Sequence, residues 1–161
     1  MTDFTKIDTE MLTSSRTPAS EKLELDEAVG ATAFGVNLFT AQPGEQLPWG
    51  FHRHPDHEEL FLVLEGTVVF ETPETEYQVG ADEAFFVPKN HRQRAHAVGD
   101  KPARVVAIGA PKTDDDTIIE EECSECDDLT RHQPVERTID GDTVFVLQCT
   151  ICDSERQIDG F

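Results

Sequence analysis

Residues 52–66, His-Arg-His-Pro-Asp-His-Glu-Glu-Leu-Phe-Leu-Val-Leu-Glu-Gly, constrain this chain more than any other stretch. Side chains alternate faces along an extended backbone, so His52 and His54 point the same way. Glu59 follows five residues after His54. Two imidazoles on one face with a carboxylate close behind suit a divalent metal held inside a β-structure. An isolated His-x-His is usually solvent-facing, but here the acid, an apolar run and a glycine follow in register. The run 60–64 holds no polar residue, which predicts a strand covered on both faces. Gly66 then permits the turn that reverses the chain.

The surrounding sequence reads as short strands. Residues 21–25 alternate, and 33–40 and 67–71 are β-rich. A Thr72-Pro73-Glu74-Thr75 loop returns the chain through 76–79, and 84–87, 91–98 and 103–109 follow. Turns at Gln42-Pro43-Gly44-Glu45, Gly80–Glu83, Pro88-Lys89-Asn90 and Gly99–Pro102 separate them. No stretch has helical periodicity, so the chain is all-β, a sandwich or barrel. Residues 1–22, polar and Ser/Thr-rich, read as an N-terminal arm with at most a short strand. The barrel spans 23–112, and the acidic stretch around 111–117 opens a module at 113–161.

On these residues the barrel resembles a cupin, a double-sheet jelly roll. The family's first motif is a glycine, His-x-His, three or four residues, Glu, six residues and Gly. His52, His54, Glu59 and Gly66 meet it, with Gly44 as the leading glycine two residues early. In the second motif Gly80 and Pro88 fit, Asn90 stands at a glycine, and Gln93 stands at the histidine that binds metal. Asn tolerates the left-handed conformation, so the turn survives. The resemblance implies one divalent metal (Fe, Mn, Ni, Zn or Cu) held by His52, His54 and Glu59, with Gln93 in the fourth place as a weak oxygen ligand. Strand parity puts His91, Gln93 and Ala95 on one face and Arg92, Arg94 and His96 on the other. His91 and His96 are therefore candidate substitutes, of which parity favours His91, and His57 is an exposed rim residue. The resemblance further implies a small polar or anionic ligand, with Arg53, Arg92 and Arg94 as candidate anchors. It implies either a metal-dependent enzyme of dioxygenase or sugar-phosphate isomerase type, or a ligand-binding protein without catalysis. It also implies a homodimer sharing edge strands, to which the arm would contribute. His52-x-His54-x-Asp56-His57 also matches a metallo-β-lactamase signature, but that fold needs a larger α/β chain and a helix where 60–64 reads as a strand.

The four cysteines form two pairs, Cys123-Ser-Glu-Cys126 and Cys149-Thr-Ile-Cys152. Two C-x2-C pairs at this separation match a zinc ribbon, whose thiolates surround one zinc as a tetrahedron. Asp140-Gly141 predicts a hairpin before a strand at 144–148. A disulfide framework and a rubredoxin-like iron site are the rivals; the iron knuckle favours glycine where Asp127 and Asp153 stand. So small a module depends on its metal to fold, and such ribbons can dock a protein partner. The full expectation is a cupin jelly-roll barrel followed by a small zinc-ribbon β module.

Charge narrows the partners. There are 33 acidic against 13 basic residues, a net of −20. Such a surface repels nucleic acid and anionic membranes. The acids are dispersed, and lysine is scarcer than arginine, which fits a halophilic, salt-rich cytoplasm where repulsion is screened. The N-terminal residues lack the basic and apolar regions of a signal peptide, and no apolar run reaches the roughly 18 residues of a membrane span. The expected location is cytoplasmic.

Overall fold

The computed structural model describes residues 4–16, 20–112 and 117–158. Pro18 of the arm and the acids at 114–116 lie outside the described residues. In chain order the first strands are β1 (Ser15–Arg16), β2 (Glu21–Glu24), β3 (Gly35–Ala41), β4 (Gln46–Arg53) and β5 (Glu58–Glu65). Then come β6 (Thr67–Glu71), β7 (Glu76–Gly80), β8 (Ala84–Val87), β9 (Gln93–Val98) and β10 (Ala103–Ala110). The cysteine region contributes β11 (Ile118–Cys123), β12 (Asp128–Ile139), β13 (Asp142–Cys149) and β14 (Glu155–Gln157).

Two sheets form from these strands, and every pairing is antiparallel. One runs β1-β2-β3-β10-β5-β8 and the other β14-β13-β12-β11-β4-β9-β6-β7. Alternation along each strand sends one set of side chains between the sheets. Phe39, Leu47, Phe61, Val63, Val68, Phe70 and Val105 make the apolar centre, together with Ala95, Ala97 and Ala103. The Phe70 ring stacks on Phe85 at 4.5 Å and meets Phe61 at 5.0 Å. Among the described residues, no helix is long and apolar enough to cross a membrane.

Turn chemistry follows the residues present. Gly66 has φ +77°, and Asn90 adopts φ +63°, the left-handed geometry that lets it stand in for glycine. Asp140 and Gly141 take positive φ in succession, as a tight hairpin between β12 and β13 requires.

Two expectations need correction. The run 60–64 is not covered on both faces: Phe61 and Val63 are buried, but Leu60, Leu62 and Leu64 are 40%, 37% and 38% exposed. The strand lies in an antiparallel sheet with one face inward, so continuous apolarity there reflects an uncovered outer face. The alternation at 21–25 also stops early, because a five-residue helix, α1 (Leu25–Val29), begins at Leu25 and ends on left-handed Gly30. Asp26 in its first turn is buried and ion-paired to Lys112 at 2.6 Å, which ties the helix to the segment after β10.

Candidate metal centres

β4 and β9 pair with a register shift between Leu47 and His52, and Gly50, at φ +51°, lies in that irregular stretch. The irregularity re-aims the strand end. His52 comes opposite Gln93, with both side chains buried to 1% exposure. The β5 strand brings Glu59 opposite Gly109 of β10 and Val87 of β8. One ligand atom from each of His52, His54 and Glu59 lies within 4.8 Å of the others. Such a spacing is what one cation at about 2.0–2.2 Å from each donor would need, after small adjustments.

The hydrogen bonds fix the chemistry of these groups. His52 Nδ1 is 3.0 Å from the Gly50 carbonyl, which can only accept, so Nδ1 carries the proton and Nε2 presents a lone pair. Gln93 Nε2 lies 3.1 Å from that Nε2 and donates to it. His54 places Nε2 3.4 Å from Glu59 Oε2 and Nδ1 3.3 Å from Thr117 Oγ1. Burial opposes the Glu59 charge, yet the neighbouring imidazoles, His54 foremost, outweigh it and hold the carboxyl below its ordinary range. Gln93 Oε1 is buried without a hydrogen bond, and Glu59 Oε2 faces the His54 ring at 3.4 Å. A buried amide oxygen in that condition, with a carboxylate and an imidazole nitrogen beside it, is a donor set that fits a divalent cation. Turning the Gln93 amide would offer Oε1 in place of Nε2.

The other sequence candidates divide around this centre. His57 is half-buried rather than exposed, and its ring stacks on His54 at 4.1 Å. His91 is exposed and turns Nδ1 to the Lys89 carbonyl, outside the cluster. His96 is on the opposite face of β9, 3.3 Å from Glu71. Arg53 is engaged by Glu120 at 3.0 Å and by Asn90, and Arg94 by Glu71 at 2.7 Å. Arg92 and Arg94 lie over the Phe51 ring. None of the three arginines lines the cavities beside His54 and Glu59. A cavity of about 270 Å³ beside the cluster is lined by Asn37, Phe39, Trp49 and Thr117, with Lys22. A second, of about 210 Å³, shares Asn37, His54 and Glu59 and adds His57 and Lys112. Sequence reading missed the roles of Lys22, Asn37 and Lys112. They lie far from the motif in the chain, and only the pairing of β3 with β2 and β10 brings them near.

The tail holds a second cluster. All four cysteines are unbridged, and their sulfurs lie within 4.8 Å of one another. Cys123 Sγ is 3.5 Å from Cys152 Sγ, and Cys126 Sγ is 3.9 Å from Cys149 Sγ. Four thiolates at about 2.3 Å from one zinc stand about 3.8 Å apart, so the sulfurs already trace the tetrahedron. Asp127 and Asp153 take the left-handed conformation after each pair, at φ +51° and +60°, the positions where an iron knuckle favours glycine. Ser154, 3.2 Å away, draws the Cys123 thiol down to about 6, and Thr130 lowers Cys149. Contact with Cys152 instead pushes Cys126 up. Adjacent thiolates repel, and a bound cation removes that conflict.

Residues 37–109 match the family model described as Cupin domain. The polyketide synthase CurC of Streptomyces cyaneus is 35% identical over 78 residues, covering 48% of this chain and 49% of CurC. The chain spans about half the length of the curated relatives it matches. A sugar phosphate isomerase of Silicibacter pomeroyi superposes with a TM-score of 0.62 at 20% identity, covering 97% of this chain and 94% of that one. The polyketide cyclase RemF of Streptomyces resistomycificus gives 0.59 at 20% identity, covering 68% and 81%. At those identities the superpositions speak to the fold alone.

Proposed function

We propose, from the match of residues 37–109 to the Cupin domain model, that the barrel binds one divalent metal and a small polar ligand beside it, while the cysteines hold a structural zinc. The observation that carries this reading is the convergence of His52, His54 and Glu59 within 4.8 Å. Gln93 is the fourth ligand, through the Oε1 that now lacks a partner. A bound divalent cation would supply Lewis-acid polarisation of a ligand oxygen. The chain's own residues do the rest. Asn37 offers hydrogen bonds within the cavity and Phe39 and Trp49 supply flat apolar walls, while Lys22, paired to Glu24, and Lys112, paired to Asp26 and Glu27, stand at the cavity edges. Sugar phosphates and polyketides, named for two of the structural neighbours, both carry oxygen donors and fit that description as a class. Four unbridged cysteines suit a reducing, cytoplasmic setting. The partner is a second copy of the chain, a reading supported by the uncovered leucines of β5.

A catalytic version of this reading rests on His57. Its imidazole stacks on His54 and lines the cavity that Glu59 enters, where it could exchange a proton with a ligand held on the metal.

Metal analysis of untagged protein tests the proposal. Wild type should carry two metal ions per chain, and His52→Ala/His54→Ala should carry one, with the zinc retained. One zinc in both proteins would mean that the barrel cluster is a hydrogen-bonded core and not a metal site.

A further inference from the structure

We propose that Glu121 is a positioning residue for the barrel site, so that metal in the cysteine cage governs how tightly the histidines bind theirs. The inference rests on the barrel-metal reading above. It begins with one peptide plane. The Gly50 carbonyl accepts from His52 Nδ1 at 3.0 Å, and the Phe51 N–H donates to Glu121 Oε1 at 2.9 Å. Those two groups belong to the same planar peptide unit and point to opposite sides of it. A carboxylate that pins the N–H therefore also sets the direction of the carbonyl, and the carbonyl sets the ring that presents Nε2. Charge on Glu121 polarises the same unit and strengthens the bond to His52.

The surroundings are built around this contact. Glu121 is a buried acid on β11, approached by Arg156 Nη1 at 3.4 Å. A Cβ on Gly50 would meet Glu121 Oε1 at 2.6 Å, so the glycine makes room for the carboxylate. Gln46 Oε1 accepts the Gly50 N–H at 3.0 Å and fixes the preceding peptide. Thr117, just before β11, touches His54 Nδ1, and Ile119 of β11 pairs with His52. Trp49 packs edge-on against Phe145 of β13 at 5.6 Å. The irregular stretch of β4 that aims the histidines is thus gripped by the cysteine-bearing strands. β11 itself ends at Cys123, the first sulfur of the cage.

Cage and barrel sit at opposite ends of one short strand. Losing the cage metal frees the Cys123 end, and with it the register that delivers Glu121 and Thr117. The coupling is reciprocal by linkage: barrel metal must tighten the cage by the same factor.

The test uses the full chain with zinc in the cage and Mn2+ as the barrel probe, since this hard ion avoids thiolates. Calorimetric titration of Glu121→Leu should show Mn2+ affinity reduced about ten- to a hundred-fold, the usual effect of removing a partner that orients a ligand. Glu121→Gln keeps an acceptor for Phe51 and should recover most of it, which a loss of general stability would not explain. Cys126→Ser, which empties the cage, should weaken Mn2+ by a similar factor. Affinity unchanged in Glu121→Leu, with zinc still bound, overturns the proposal. Should wild type bind zinc in the cage and neither Mn2+ nor any other second divalent ion, the barrel-metal reading fails. Hydrogen exchange at the Phe51 amide then judges the coupling by itself: faster exchange on zinc removal upholds it, and unchanged exchange overturns it.

Discussion

Gly66 shows how much a single missing methyl decides. A Cβ there would sit 2.6 Å from the Pro102 carbonyl oxygen and 2.8 Å from Ala103 Cα, at a φ of +77°. Both obstacles are backbone, so neither can swing aside as a side chain would. The neighbouring turn from Gly99 leads straight into β10, the central strand that pairs with both β3 and β5. Gly66→Ala should therefore destabilise the protein by about 2–4 kcal/mol, combining the left-handed strain with the clash. Urea unfolding followed by Trp49 fluorescence would measure it. A cost under about 0.5 kcal/mol, ordinary for surface changes, would contradict the argument. The motif predicted a glycine at this position for its turn; the close approach of 102–103 is a second requirement that one strand's sequence does not express.

Among the elements, α1 is held by charge more than by its own length. Five residues make barely one turn, which cannot persist alone. Burial raises the Asp26 pKa, but the bond and charge of Lys112 together with the backbone N–H groups of Val36 and Asp26 outweigh it, and the net shift is downward. Lys112 also reaches Glu27 at 2.7 Å and the Ala31 carbonyl at 3.2 Å. A carboxyl with a lowered folded pKa binds fewer protons in the native state than in the unfolded chain. Its stabilisation is complete above the unfolded value of 3.8 and fades as pH falls through the folded one. Asp26→Asn should lower Tm by about 2–6 °C at pH 7, and the gap should close in strong acid. A gap that stayed constant down to the acid limb would assign the effect to shape instead of charge. Strands and turns of the barrel were legible because alternation and Gly/Asn punctuation are local, and so were the cluster of His52, His54 and Glu59 and the two C-x2-C pairs, whose internal spacing is local too. The pairing of β11 with β4 was not legible, since nothing in 118–123 or 46–53 names its partner. The short helix was missed because Glu21–Leu25 alternates like a strand and only the distant Lys112 rewards the bend.

At the scale of the whole molecule, an acidic chain leaves one apolar face uncovered. Leu60, Leu62 and Leu64 of β5 and Phe86 of β8 are exposed on the outer side of the six-stranded sheet, with Leu60 paired to Phe86. Ile108 and Val106 of β10 continue the patch beside them, opposite Leu60 and Leu62. A second copy can cover this patch with its own, as a two-fold pair demands. Two chains of charge −20 repel, however, and no charged side chain stands among these six to offset it. Raising salt shortens the Debye length from about 10 Å at 0.1 M to about 3 Å at 1 M and also strengthens apolar association when the salt is excluded from the surface. The pairing proposed above should therefore tighten as NaCl rises, by about ten-fold or more between those concentrations in sedimentation velocity. Leu62→Arg, which sets a charge at the centre of the patch, should leave a folded monomer at both. A pair held by ion pairs at the sheet edges would instead loosen in salt and ignore Leu62. Either of those two results would move the interface off this face.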